Sequence, residues 1–413
     1  MDVTRRRLKI VHVHDQAERL GGAERYLEDL IAALAAAGQE SVRVGSTRGR
    51  RHRPPADSAQ PAPDAPEAAR YHVPPYRGFR RTWRPYQEIL ERERPDVVHL
   101  HNTQYFVSPS TLSRLVRLVP MVRTVHDVRP LCPTGRKVLP RSGRLCERRL
   151  GLGCVNLQGC FAPHRIPIVA RELRAARAVH GTVVSSGYLR DELILNGYPA
   201  CRIRVIPCFT NRAPGPVEPP AGERHILAIG RLARIKGMPQ LLEALAHLGR
   251  RGGDWTATLV ITDPAWHRRM LRYAHRCGLG ERVDIVGARA YGDLDALYRR
   301  SRVVVVPSMI PEAFGLVGIE AMAFGRPVVA FDAGGIREWL EDGVTGFCVP
   351  RGDVAALADR IARLLADPAL ARIMGEQGRQ AVDARYRASH HLEALLAVYA
   401  GAVAEHAAGP LTD

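Results

Sequence analysis

Lysine is nearly missing from this chain of 413 residues: Lys9, Lys137 and Lys236 are the three lysines among sixty basic residues. Arginine supplies the rest, as a GC-rich genome writes it, so a lysine inside a motif stands out. Long apolar runs are missing too, and no stretch reaches the roughly 18 residues of a membrane-spanning helix. LLAVYAGAVA, the most apolar late stretch, is too short and lies in a helical pattern. At the start, MDVTRRRLKIVHVHD turns from basic residues into a short strand that soon meets His12, His14 and Asp15, so the apolar core of a signal peptide is lacking. These absences predict a cytoplasmic protein, with peripheral contact at the inner membrane face as an extension considered below.

What is present is globular: 46% hydrophobic and 25% charged residues, in a chain long enough for two domains of about 200 residues each. The formal charge of +18 is uneven. Residues 1 to 210 carry 35 Lys and Arg against 19 Asp and Glu, a net +16, and the remainder is nearly balanced. Arginine-rich codon usage does not explain why the halves differ. The first half is therefore expected to meet an anionic partner, for which a membrane surface, a lipid diphosphate or nucleic acid would all qualify.

Apolar runs of five to seven residues alternate with amphipathic stretches, the pattern of βα units on a parallel sheet. LKIVHVH, SVRVGST, DVVHLHN, MVRTVHD, GTVVSS and RIRVIP are the strands expected in the first half; HILAIGR, TATLVIT, RVDIVG, RVVVVPS, RPVVAF and TGFCVP are those in the second. The expected division is an N-terminal domain over 1–207 with a Cys-containing insertion at 130–163, and a Pro- and Gly-rich linker over 208–224. A C-terminal domain over 225–387 follows, and then a last helix and tail over 388–413 that pack back on the first domain. Residues 48–75 read as a long loop.

In open α/β sheets ligands sit beyond the carboxyl ends of strands. Three such loops stand out. GRLARIKG follows HILAIG and opens a helix, where Arg231 and Lys236 can flank a diphosphate beside a helix N-terminus. DQAERLGGAERYLEDL offers Gly21 and Gly22 at the start of another helix. PEAFGLVGIE places Glu312 in a loop and Glu320 about one turn into the next helix, with Gly315 between.

The ordered set GGAE, VHD, GRLARIKG, PEAFGLVGIE, GRPVVAFDAGG and DGVTGFCVP resembles the family-4 retaining glycosyltransferases, also called group 1, over essentially the whole chain. The resemblance implies the GT-B fold, two Rossmann-like doubly wound parallel sheets facing across a cleft. It implies a nucleotide-sugar donor such as a UDP- or GDP-sugar, with no required cofactor, and an acceptor that the charge asymmetry marks as anionic or lipid-linked. By match, Arg231 and Lys236 hold the diphosphate and Gly21 and Gly22 approach it. Glu312 contacts the transferred sugar. Phe314, Gly315 and Leu316 present backbone amides, Glu320 accepts from the ribose hydroxyls, and His126 touches the sugar near the reacting carbon. The implied work is cell-surface polysaccharide or glycoconjugate synthesis. A nucleotide-sugar epimerase, a phosphorylase or a non-catalytic binding protein on the same architecture stays open.

One feature departs from the pattern, and a second imitates the metal motif of a different glycosyltransferase fold. TDPAWHRRM stands where the family has a glycine-rich turn, and DLD at 293–295 reads as helix capping rather than as a metal motif. Cys132, Cys146, Cys154 and Cys160 fall within 29 residues as C-x13-C-x7-C-x5-C. They are candidates for a structural zinc, against reduced thiols packing a small loop. His12, His14, His99, His101 and His126 invite a metal too, but polar strand tips lining a cleft explain them at least as well. YRGFRRTWRPY, residues 76–86, suits a lipid headgroup layer or a phosphorylated acceptor. No nucleic-acid module accompanies it, so nucleic acid is not an expected partner.

Overall fold

The structure is a computed structural model that describes residues 7–15, 21–46, 70–73, 83–103, 107–151, 153–156, 160, 166–213, 215, 223–231 and 234–409. By internal contacts the described residues separate into two units. Unit 1 takes the chain as far as Cys208 and again from Ala388, and unit 2 is Phe209–Arg387.

Unit 1 carries strands β1 (Lys9–Val13), β2 (Glu40–Ser46), β3 (Arg70–Val73), β4 (Val97–Leu100), β5 (Met121–Val125), β6 (Gly181–Val184) and β7 (Ile203–Val205). They form one parallel sheet in the order β3-β2-β1-β4-β5-β6-β7. Its helices are α1 (Gly22–Ala36), α2 (Trp83–Glu93), α3 (Pro109–Leu118), α4 (Gly153–Asn156), α5 (Ile166–Ala176) and α6 (Gly187–Leu195). The central strands β4, β5 and β6 are buried along their whole length. That is the reason they read as continuous Val-rich runs rather than alternating ones.

Unit 2 runs β8 (His225–Gly230), α7 (Met238–Arg250), β9 (Thr256–Ile261), α8 (Pro264–Arg276), β10 (Val283–Val286), α9 (Tyr291–Arg300), β11 (Val303–Val306), α10 (Leu316–Ala323), β12 (Val328–Phe331), β13 (Gly346–Val349), α11 (Val354–Ala366) and α12 (Pro368–Arg385). Its parallel sheet has the order β10-β9-β8-β11-β12-β13. The last helix, α13 (Ala388–Ala407), belongs to unit 1 and packs on α1, β4, β5 and β6 through Leu395 and Tyr399.

Three readings of the sequence need correction here. The loop expected over 48–75 ends in strand β3, whose residues RYHV pair parallel with β2. Of the stretch YRGFRRTWRPY, residues 76–82 lie outside the described residues, and Tyr86 is buried in unit 1 on α2 and cannot rest at a headgroup layer. The third is DLD: α9 starts after Ala290 without a side-chain cap, Asp293 lies in its first turn, and Asp295 pairs with Arg212. By contrast Asp263 does cap α8, accepting from the amides of Ala265 and Trp266 at 2.9 and 3.3 Å. Among the described residues no helix is long and apolar enough to cross a membrane.

Candidate active site

In unit 2 the strand order reverses between β8 and β11, the switch point at which open α/β sheets hold ligands. The two loops leaving these strands carry Arg231, Lys236 and Glu312. They are tied together by the Met309 amide donating to the Ile235 carbonyl at 2.9 Å. Lys236 Nζ donates to Glu312 Oε1 at 2.5 Å, and Ser308 Oγ donates to the same oxygen. The lysine that sequence reading singled out for phosphate and the carboxylate it singled out for sugar are thus an ion pair. Glu312 is 9% exposed, whereas Arg231 is exposed.

Each loop enters its helix through a left-handed glycine. Gly237 precedes α7 at φ 68° and Gly315 precedes α10 at φ 97°, and neither helix has a side-chain cap on its first amides. Those amides are the donors a helix start leaves for an anion. A Cβ at Gly237 would collide with the Pro307 carbonyl oxygen, so only glycine lets the two loops approach this closely.

Trp339 supports the second loop from beneath. Its Nε1 donates to the Phe314 carbonyl at 2.6 Å, and its indole fills the space where a side chain on Gly318 would stand. Phe314 itself is core, packed edge-on against Tyr386 with centroids 5.8 Å apart. Leu316 opens α10.

Glu320, 6% exposed, sits in a polar network. Tyr298 Oη donates to its Oε2 at 2.8 Å, and Arg212 Nε lies 3.4 Å from its Oε1. Arg212 also pairs with Asp295 and lies over the Tyr298 ring. Sequence reading missed Trp339, Tyr298, Arg212 and Ser308. Of these, Ser308 alone had a signal, its place at the end of RVVVVPS.

Unit 1 has its own reversal, between β1 and β4. In this register His12 pairs with His99, and the two-residue strand period puts His14 and His101 on the same face, one step further along. A chain of imidazoles results. His126 Nε2 is 3.0 Å from His101 Nδ1, His101 Nε2 is 3.2 Å from His12 Nδ1, and His12 Nε2 is 3.4 Å from Ser41 Oγ. Burial, reinforced by Arg129 and Arg123, pushes His126 down to about 3, and burial with Arg43 does the same to His12. His101 is lowered by burial and by its neighbouring histidines. Each ring is therefore neutral, with one N–H and one acceptor nitrogen, so the tautomer of His12 dictates that of His101 and hence of His126.

His12, His14, His99 and His101 are fully buried, which corrects the expectation that they line a cleft. Among the described residues, His12, His99 and His101 are the group whose ligating atoms come within 4.8 Å of one another. His99, however, spends both ring nitrogens, on Tyr399 Oη and Thr124 Oγ1 at 2.7 Å each. The trio is a hydrogen-bonded core, and a metal would have to break it.

Gly21 lies just before α1 in extended backbone, and Gly22 is the first residue of that helix. Near this turn burial pushes Asp15 up to about 7, against Arg129, with Glu24 and Asp127 adding to the rise. The four clustered cysteines are free thiols, Cys132 buried and the other three partly so.

Two parallel doubly wound sheets, with glycine-entered helices at the switch point of the second, define the GT-B class of architecture. Known proteins agree. "Glycosyltransferase Family 4" matches residues 20–213 and "Glycosyl transferases group 1" matches residues 211–381. A D-inositol 3-phosphate glycosyltransferase from Arthrobacter sp. is 31% identical over 309 residues, 71% of this chain and 68% of that one. An alpha-D-kanosaminyltransferase from Streptomyces kanamyceticus is 34% identical over 174 residues, where the match spans 42% of this chain and less than half, 45%, of the relative. Among solved structures, sucrose-phosphate synthase from Thermosynechococcus elongatus superposes with a TM-score of 0.71 at 24% identity, covering 96% of this chain and all of that one. HepE from Anabaena, in complex with UDP and glucose, also gives 0.71, at 20% identity over 95% of this chain and 99% of that one. The chain belongs to the group 1, family 4 glycosyltransferases.

Proposed function

We propose that the protein transfers a sugar from a nucleotide-sugar donor to a hydroxyl acceptor with retention of configuration. One observation carries this reading: at the unit 2 switch point Lys236, Glu312 and two uncapped helix N-termini converge on a single place. In this reading Arg231 and Lys236 take the diphosphate, and the open amides at Gly315 and Leu316 face sugar and phosphate. Glu312 passes from Lys236 to the sugar hydroxyls, and Glu320 accepts from the ribose. In unit 1, Gly21 and Gly22 approach the diphosphate, and neutral His126 touches the sugar.

In the step itself, the bond between the anomeric carbon and the diphosphate oxygen breaks, and its electron pair leaves with the diphosphate. Lys236 and Arg231 stabilise that charge without a metal. The acceptor hydroxyl bonds to the same face of the carbon, and its proton passes to the leaving oxygen, so no protein base is assigned. His126, neutral at ordinary pH, serves as a hydrogen-bonding partner and not as a cation. The +16 carried by residues 1–210 supports an anionic acceptor, for which a lipid-linked phosphate is the chemistry we favour, at a membrane surface.

A thermal-shift screen tests the donor. One class of nucleotide sugar should raise the melting temperature in a concentration-dependent way, by about 2.7 kcal/mol of stabilisation at a hundredfold excess over Kd. No shift with any uridine, guanosine, adenosine or thymidine diphosphate sugar would sink the reading.

A further inference from the structure

We propose that His12 and His101 are positioning residues for sugar transfer, which hold His126 in one orientation and one tautomer through a chain of three imidazoles. The proposal rests on the reading of His126 as the group that touches the sugar.

Three neighbouring strands supply the rings: His12 lies in β1, His101 directly follows β4 and His126 directly follows β5. β1 pairs with β4 and β4 with β5, which sets the rings side by side across the sheet. His12 and His101 are closed off from solvent, at 0% and 1% exposure, whereas His126 is partly exposed. The chain thus has one end that a ligand can reach. His101 Nδ1 engages Nε2 of His126, so Nδ1 is the nitrogen that His126 offers to a sugar. Tyr26 restricts the ring further, standing edge-on to it with centroids 5.2 Å apart. Tyr26 is itself fixed. Its hydroxyl donates to His391 Nε2 at 2.7 Å, because His391 Nδ1 donates to the Pro207 carbonyl at 2.8 Å. His99 lies against His101, with ring centroids 4.1 Å apart, but its nitrogens are engaged by Tyr399 and Thr124 and it stays outside the chain.

Both links join an Nε2 to an Nδ1: His126 Nε2 to His101 Nδ1, and His101 Nε2 to His12 Nδ1. Burial keeps all three rings neutral, and a neutral ring carries one proton. If His126 bears its proton on Nε2, then His101 accepts at Nδ1 and bears its own on Nε2, and so does His12. In the opposite sense all three bear it on Nδ1. The three rings therefore share one tautomer, since a mixed set would set two N–H groups or two lone pairs against each other in the buried chain. Its closed end is His12 Nε2, 3.4 Å from Ser41 Oγ. A sugar hydroxyl at His126 Nδ1 then meets a nitrogen whose character, donor or acceptor, is set two rings away. Such a partner is already arranged when the bond breaks.

The full chain, with 15N in its histidine rings, is first read without ligand. Two-bond proton–nitrogen correlations report each tautomer, and single substitutions identify the signals. His12, His101 and His126 should show the same tautomer. H12F keeps an aromatic ring but ends the chain, and it should leave His126 as a mixture of two tautomers. Turnover is then read as nucleoside diphosphate release, with water as acceptor, from the uridine, guanosine, adenosine and thymidine diphosphate sugars of the thermal screen. H12F should lower kcat about 10- to 100-fold with KM within about twofold, as loss of a hydrogen bond made in the transition state does. H12N, whose amide falls near the place of Nδ1, should recover most of it. In an H126A background H12F should change kcat by no more than about twofold, because no ring remains to be positioned. Different tautomers among the three rings of the wild type overturn the proposal, and this spectrum decides even where H12F fails to fold. An H12F substitution that slows H126A as much as it slows the wild type overturns it equally, since its effect is then structural. Failure of the reading of His126 looks different: H126A turns over like the wild type while the shared tautomer is still seen, and the positioning role falls with it.

Discussion

Acidification from pH 7.5 to pH 5 is expected to lower the melting temperature of unit 1 by about 10 °C or more. His12, His99, His101, His126 and His391 are kept neutral inside that unit. Burial holds His12 and His126 near 3 and His391 near 4, and His99 and His101 are also lowered, burial being the first cause in each. A histidine whose folded pKa is depressed stabilises the fold above its unfolded pKa and gives that up as pH falls toward the folded value. The loss begins near pH 6.5 and amounts to roughly 2 kcal/mol by pH 5 for each of His12, His126 and His391, with His99 and His101 acting in the same direction.

Asp15 works in the opposite sense. Raised to about 7, it is protonated in the folded state before the unfolded chain takes up that proton, which returns roughly 2 to 3 kcal/mol over the same range. Five losses exceed one gain, and the net is a large share of a typical total stability of about 5 to 15 kcal/mol. Calorimetry across this range checks it. A melting profile unchanged to pH 5 would mean that these histidines titrate normally and that the hydrogen-bonded chain behind His126 is not formed.

Replacing Lys236 with alanine is expected to weaken donor binding about 10- to 100-fold while scarcely changing stability. The lysine side chain is about one-third exposed, at 32%, so its pair with Glu312 contributes no more than about 1 kcal/mol to folding. Toward a diphosphate the same ammonium makes charge-assisted hydrogen bonds, with a typical loss of about 1.5 to 3 kcal/mol on removal. A second cost follows from the pair. Without Lys236, Glu312 keeps its bond from Ser308 and presents an uncompensated carboxylate to an anionic ligand. Adding E312Q to K236A should therefore recover part of the lost affinity. Titration calorimetry of the single and double variants reads this directly. Recovery would be absent if Glu312 stood apart from the phosphate site.

Much of this architecture could be read from the sequence because buried parallel strands are apolar on both faces. HILAIG, TATLVI and VVVV announce themselves in a way that RYHV cannot. That strand pairs with β2 alone, at the edge of the sheet. The loops of the site were legible for a similar local reason: a glycine and a charged residue directly after a strand have few structural uses.

What surrounds those loops was not legible. Asp295 and Tyr298 share one face of α9, but Arg212 comes from the segment before β8 and Glu320 from α10, and no spacing in the chain links these three pieces. Trp339 supports a loop 25 residues before it through one indole nitrogen, again without a local signature. The histidines are intermediate. The repeats HVH and HLH place them on one face, but the chain from Ser41 to His126 depends on the register of β1 against β4, which was not visible beforehand.

The central claim is that the unit 2 switch point binds a nucleotide through its ribose as well as its phosphates, with Glu320 as the ribose acceptor. Glu320 also holds Tyr298 and lies beside Arg212, so loss of activity on mutation would not by itself separate the two roles. Calorimetric titration of a ribonucleoside diphosphate and its 2′,3′-dideoxy counterpart, against wild-type protein and E320Q, does separate them. The predicted result is that E320Q weakens the ribonucleotide about tenfold or more and leaves the dideoxynucleotide unchanged, since the lost contact is a charge-assisted hydrogen bond to the hydroxyls. Equal weakening of both ligands, or of neither, would contradict it.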